Sequence, residues 1–202
     1  MGIGRRPDPG DLSPLMVRQG RPAVFLDRDG VLIDTAVRDG KPYAITETEP
    51  VTVLDGVLEA CTELRAAGFL LVLVTNQPDV ARGQTRVDFV ERTNADLAAM
   101  LGLDDVRVCY HQDSDHCNCR KPKPGLLTCA ATEMSVDLSA SFMVGDRWRD
   151  IEAGRNAGCK TVLIERAYRE PRAEAPDHTA HSLLDTVPWI IACSRKPEGY
   201  RS

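Results

Sequence analysis

No apolar run in this 202-residue chain approaches the roughly 18 residues that a membrane-spanning helix needs. The longest, Gly68 to Val74, is the length of a buried strand. The segment Met1 to Arg21 is marked by Pro, Gly and Arg and lacks the apolar stretch of roughly 7–15 residues found in a secretory signal, so a cytoplasmic protein is expected. An excess of positive charge is missing as well: 25 Lys and Arg stand against 30 Asp and Glu, a net charge of −5, with no long basic stripe. Neither a nucleic acid nor a membrane is therefore an expected partner, although a small basic pocket can still hold an anion. Internal repeats and low-complexity tracts are absent. The seven cysteines do not make an even set, and three of them fall with two histidines inside Cys109–Cys119. That clustering favours a metal over disulfides in a reducing compartment.

What is present is ordinary globular material, 43% apolar and 27% charged, enough at this length for one domain with a true core. Pro7, Pro9, Gly10, Pro14 and Gly20 break up the first twenty residues, so 1–20 is expected to be a flexible leader, 21–192 a single domain and 193–202 a tail. Five apolar runs read as strands: Ala23–Leu26, Leu70–Val74, Val106–Tyr110, Ser141–Val144 and Thr161–Ile164. Between them lie helical patterns from Asp55, as N-cap, to about Ala67, and over Val87–Leu101, Pro124–Met134 and Asp150–Ala157. A last helix is expected near Ser182–Ala192, and residues 34–52 read as a long loop or a small hairpin. Strand and helix in alternation predict an α/β fold, a doubly wound, Rossmann-like parallel sheet covered on both faces. Ligands of such sheets bind beyond the carboxyl ends of the strands. The polar clusters of this sequence fall at those ends.

After the first strand comes Asp27-Arg-Asp29-Gly30. Two carboxylates two residues apart suit a turn, but they also suit phosphoryl chemistry. One can attack phosphorus while the other handles the leaving group's proton, and the pair invites Mg²⁺. After the second strand stand Thr75, Asn76 and Gln77, a hydroxyl and two amides that fit a capped turn or a polar site. Arg120-Lys121-Pro-Lys-Pro-Gly125 offers cations to a phosphoryl group or to solvent. Asp146 and Asp150, in Val144-Gly-Asp-Arg-Trp-Arg-Asp150, complete a Mg²⁺ site or cap a helix.

Cys109-x-His111-x5-Cys117-x-Cys119 carries a sharper signal. Alternate positions of an extended chain face the same way, so each pair can chelate. Four soft or borderline ligands with no vacancy indicate a closed, structural Zn²⁺ site. His116 competes with His111, although its place beside Cys117 is the less convenient one. Cys61, Cys129, Cys159 and Cys193 read as scattered positions in helices and strands.

In this order and at strand ends, the clusters resemble the four motifs of the haloacid dehalogenase superfamily of aspartyl-phosphate phosphohydrolases over about residues 22–166. The resemblance implies Asp27 as nucleophile and Asp29 as general acid/base, with Thr75 and Lys121 holding the transferring phosphoryl. It implies Mg²⁺ on Asp27, the Asp29 carbonyl and Asp146, with Asp150 as a supporting acid. The Cys-x-His…Cys-x-Cys-Arg-Lys-Pro run, with Thr-Asn-Gln…Ala-Arg-Gly upstream, is similar to the heptose 1,7-bisphosphate 7-phosphatases and their histidinol-phosphate relatives. That similarity assigns substrate contacts to Asn76, Gln77, Arg120 and Arg147, and Arg28 is grouped with them. The chain departs from the pattern at Thr35–Arg38 with an extra Asp39–Tyr43, at Pro78-Asp-Val80, and at Arg147 where Lys is usual. The stretches between motifs leave no room for a large cap, so an open site for a small phosphorylated sugar is expected, in a monomer. The implied reaction is hydrolysis of the 7-phosphate of a heptose 1,7-bisphosphate; the alternative is histidinol phosphate or another small phosphate monoester.

Overall fold

The computed structural model describes residues 20–194. Residues 1–19 of the expected leader and 195–202 of the expected tail lie outside the described residues. Six strands form one parallel sheet: β1 (Ala23–Leu26), β4 (Leu70–Asn76), β5 (Asp105–Cys109), β6 (Phe142–Gly145), β7 (Lys160–Ile164) and β8 (His178–Ala180). Their order across the sheet is β5-β4-β1-β6-β7-β8. The chain winds from β1 outward to β4 and β5, then returns to the other side of β1 for β6. The switch of direction therefore lies between β1 and β6, where a crevice opens beyond the strand ends. The expected fold class is the one observed, with β8 as an additional edge strand. Three residues in a polar, Pro-containing stretch were too few to read as a strand.

Side chains alternate across each strand, which builds two cores. Val24, Leu26, Leu71, Leu73, Phe142 and Val144 face one layer, with α1 (Val57–Ala66), α3 (Val87–Leu101) and α6 (Leu183–Ser194). Ala23, Phe25, Val72, Val74 and Met143 face the other, against α4 (Gly125–Met134) and α5 (Trp148–Ala157). Burial on both faces is why these strands read as unbroken apolar runs.

Local signals place most helix ends within a residue or two, with instructive differences. Asp55 does not cap α1; the helix starts at Val57, whose N–H already bonds Leu54 O at 3.3 Å, and Gly56 occupies the N-cap. Pro124 stands at the N-cap of α4, one residue before the helix it was expected to open. Helix α5 begins at Trp148, two residues before the expected Asp150, because Asp150 Oδ2 reaches back to accept the Arg147 N–H at 3.1 Å. A one-turn helix, α2 (Pro78–Ala81), is too short for periodicity to reveal. Residues 34–52 contain the small hairpin, β2 (Ala36–Arg38) paired with β3 (Lys41–Tyr43).

Candidate active site

The carboxyl ends of β1, β4 and β6, together with the loop after β5, enclose a cleft of about 250 Å³. Its floor is electrostatic. Lys121 is buried, and its ammonium uses all three hydrogens: 2.9 Å to Asp27 Oδ1, 2.6 Å to Asp150 Oδ1 and 2.9 Å to Val74 O. Burial opposes its charge, but Asp150 and Asp27 outweigh burial and hold the ammonium above its ordinary pKa. Asp27 Oδ1 also accepts the N–H of Arg28 at 2.8 Å, which leaves Oδ2 outside the hydrogen bonds of the described residues.

Asp146 completes the floor. Carboxylate oxygens of Asp27, Asp146 and Asp150 lie within 4.8 Å of one another, all in buried residues. Three acids share one ammonium, so if all are ionised the group carries a net double negative charge. Asp146 bears the strain: burial first, then Asp27 and Asp150, raise its carboxyl well above the usual range. Its Oδ2 accepts from Tyr168 Oη at 2.8 Å, while Oδ1 is buried with no partner. A hard divalent cation fits this donor set, since it would supply the missing charge and the missing contact together. Gly30 makes room for the arrangement. It has φ +82°, and a side chain there would collide with the Asp146 carboxylate.

Asp150 caps a helix, as its sequence context allowed, and binds the lysine as well. Oδ1 takes the lysine while Oδ2 caps α5. Burial and then Asp27 push its carboxyl up to about 6, against the pull of Lys121.

The remaining expected residues divide by where they point. Asp29, Asn76, Arg120 and Arg147 line the cleft with Asp27, Lys121, Asp146 and Asp150. Asn76 also spends its amide on Lys121, as described below. Gln77 is fully buried, and its Nε2 donates to Asp29 Oδ2 at 2.8 Å and to Thr75 Oγ1 at 2.9 Å. It touches the machinery and does not line the cleft. Thr75 is buried at the end of β4, with its hydroxyl hydrogen still available. Arg28, grouped by sequence with the substrate contacts, is fully buried. Its guanidinium grips both oxygens of Asp29 at 3.1 Å and donates to Asn94 on α3 at 3.2 Å. The alternation of strand side chains carries it away from Asp27 toward the helix layer, which is why it supports Asp29 from behind.

Arg120 pairs through Nε with Asp113 at 2.8 Å, while its Nη1 is buried and unpartnered. Arg147 pairs with Glu170. Sequence reasoning passed over Asp113, Arg149, Arg82 and Lys41, which also line the cleft, and Tyr168, which holds Asp146. Arg149 carried a signal, since it stands two residues after Arg147, in the first turn of α5. Tyr168 lies in an irregular stretch and carried none.

Cys109 at the end of β5 gathers His111, Cys117 and Cys119 around one point. Cys119 Sγ is 3.2 Å from Cys109 Sγ and 3.4 Å from Cys117 Sγ; His111 Nδ1 lies 3.3 Å from Cys119 Sγ and 3.6 Å from Cys109 Sγ. Tetrahedral Zn²⁺ with ~2.3 Å bonds to sulfur sets its ligands roughly 3.8 Å apart, so the four atoms are grouped closely enough for one ion. His111 belongs to this group and His116 does not. Burial, and then Cys119, push the Cys109 thiol far up, a cost that a bound dication would reverse. Two residues after Cys119 comes Lys121, so the cluster and the floor of the cleft share one short stretch of chain.

A family model described as HAD-hydrolase-like matches residues 118–187, from the end of the Cys/His cluster into α6. D-glycero-beta-D-manno-heptose-1,7-bisphosphate 7-phosphatase of Yersinia pestis is 38% identical over 191 residues, 86% of this chain and 97% of its own length. The enzyme of that name from Escherichia coli K12 is 36% identical, over 87% of this chain and 96% of its own. Among solved structures, D,D-heptose 1,7-bisphosphate phosphatase from B. bronchiseptica, complexed with magnesium and phosphate, superposes with a TM-score of 0.68 at 29% identity. That match covers 85% of this chain and 98% of the other. With the motif acids gathered at the sheet's switch point and relatives alike over nearly their whole length, the chain belongs to the haloacid dehalogenase-like hydrolases, in the family of the heptose 1,7-bisphosphate 7-phosphatases.

Proposed function

We propose that this chain is a Mg²⁺-dependent phosphomonoesterase that removes the 7-phosphate of a heptose 1,7-bisphosphate through a phospho-aspartate. The observation that carries the bisphosphate reading is Arg120. Its buried, unpartnered Nη1 stands in the same cleft as Lys121, one residue away, so a second anion has a donor waiting for it. The relatives named above act on such a bisphosphate.

Asp27, Asp146 and the Asp29 carbonyl would hold Mg²⁺, which supplies charge neutralisation to the transferring phosphoryl. Asp150 supports the set and fixes Lys121. A carboxylate oxygen of Asp27 bonds to phosphorus as the ester P–O bond breaks, and the leaving alkoxide takes a proton from Asp29. Asp29 then draws a proton from water, whose oxygen attacks phosphorus and releases phosphate from Asp27. Lys121 and the Thr75 hydroxyl stabilise the phosphoryl oxygens. Arg28 and Gln77 hold Asp29 for both proton transfers. Zn²⁺ on Cys109, His111, Cys117 and Cys119 is structural, bracing the loop that delivers Arg120 and Lys121.

No helix among the described residues is long and apolar enough to cross a membrane. The substrate proposed is a small phosphorylated sugar and the location proposed is the cytoplasm, as the sequence led us to expect. Phosphate release from heptose bisphosphates, histidinol phosphate and hexose phosphates, with Asp27→Asn as the inactive control, tests the reading. A preference for the bisphosphate supports it. A preference for histidinol phosphate replaces it with the alternative, and near-normal turnover by Asp27→Asn removes the mechanism.

A further inference from the structure

Lys41 differs from the other cations of the cleft in having no carboxylate of its own. Arg82 pairs with Asp79 at 2.9 Å, Arg120 and Arg149 share Asp113 at 2.8 and 3.4 Å, and Arg147 is held by Glu170. Lys121 is committed to Asp27 and Asp150. Lys41 lines the same cleft and forms no ion pair among the described residues. A flexible exposed lysine would ordinarily mean little. This one sits at the first residue of β3, opposite Arg38, in a hairpin that is fixed at several points.

Asp39 and Gly40 form the turn with φ of +53° and +77°, the paired positive values that a two-residue hairpin favours. Thr35 Oγ1 donates to Tyr43 O at 2.7 Å, closing the open end. Arg38 pairs with Glu49 at 3.1 Å and lies over the Tyr43 ring at 5.5 Å. Arg169 N donates to Gly40 O at 2.6 Å, tying the turn to the segment that carries Tyr168 and Glu170. A side chain at Gly40 would meet Arg169 Cγ at 2.7 Å, so the docking is close. The hairpin is thus a fixed arm, and Lys41, its cation without an ion pair among the described residues, lines the cleft.

We infer that Lys41 is a specificity residue: it supplies a cation to the phosphate that the substrate keeps, opposite Arg120. The inference deepens the bisphosphate reading and rests on it. A substrate with one phosphate spends that group on Lys121 and Thr75 and gains nothing from Lys41. A substrate with two has an anion left for the rim.

The test is steady-state hydrolysis by the full chain with Mg²⁺, using wild type, Lys41→Met and Lys41→Arg on a heptose 1,7-bisphosphate and on a heptose 7-phosphate. Lys41→Met keeps the aliphatic stem and removes the charge. It should raise KM for the bisphosphate about tenfold, with kcat within about twofold and monophosphate kinetics unchanged. Lys41→Arg should recover most of the lost affinity. Equal losses on both substrates, no loss on either, or a loss that arginine does not rescue would each overturn the inference. If wild type itself shows no preference for the bisphosphate, the functional reading falls and Lys41 falls with it. A wild-type preference that survives Lys41→Met sinks only the role given to Lys41.

Discussion

Asn76 and Lys121 clasp each other across the crevice. The Asn76 carbonyl oxygen accepts the Lys121 N–H at 3.1 Å, and its amide donates back to the Lys121 carbonyl, also at 3.1 Å. A side chain expected to meet substrate therefore also sets the height of Lys121, by holding its backbone to the end of β4.

Asn76→Ala should accordingly act on turnover more than on binding. Two lost hydrogen bonds of roughly 1 kcal/mol each let the Lys121 segment drift, lowering kcat by about tenfold or more. Steady-state kinetics on one substrate decide the matter. A rise in KM with kcat untouched would make Asn76 a substrate contact only.

Mg²⁺ should stabilise the protein more at pH 7.5 than at pH 5. Asp150 titrates near 6 against an ordinary 3.8, because of burial and then Asp27, and burial raises Asp146 as well. An acid with a raised folded pKa opposes folding once ionised, so its cost grows as pH climbs from the unfolded value through the folded one. Below the folded value, as at pH 5, protons largely neutralise Asp150 in the folded protein, and above it Mg²⁺ must do so. Thermal melts with and without Mg²⁺ at the two pH values should show the larger upward shift at 7.5. An equal shift at both would detach Mg²⁺ from these carboxylates.

Zinc should copurify with the chain in one-to-one ratio and survive gel filtration, while activity depends on added Mg²⁺. Cys117→Ser should lower the melting temperature and the zinc content together. Whatever folded fraction remains should still turn substrate over, unlike Asp27→Asn, since a closed site presents no water to substrate. Zinc content with melting curves checks this, and full stability without zinc would contradict it.

Arg120→Ala should cost the bisphosphate far more than a monophosphate. A charged hydrogen bond contributes roughly 1.5–3 kcal/mol, on the order of 10–100-fold in kcat/KM. Loss confined to the bisphosphate would place Arg120 at the retained phosphate. Equal losses would assign it to the transferred group and strengthen the histidinol-phosphate alternative.

The fold was legible because the central strands announce themselves as apolar runs and the leading acid of two motifs sits one residue past such a strand. Asp27 follows Leu26, and Asp146 follows Gly145, at the two strands that flank the sheet's reversal. The Cys/His cluster was legible from spacing alone. What sequence left out are contacts between distant irregular segments. Tyr168 reaches Asp146 from a stretch with no periodicity, and Glu170 reaches Arg147 from the same stretch. Arg28 was misplaced because a residue between two acids looks exposed until the strand's alternation shows which layer receives it.

The reversal of strand order at β1 ties activity to wholeness. Asp27 follows the first strand laid down, Lys121 lies in the loop after the third strand of the sheet, and Asp146 follows the fourth, so only a fragment that runs from β1 through β6 contains the site. Contacts so distant along the chain form only when the central sheet has closed. Turnover thus reports completion of folding, and a truncated or partly folded chain is silent well before it loses its helices.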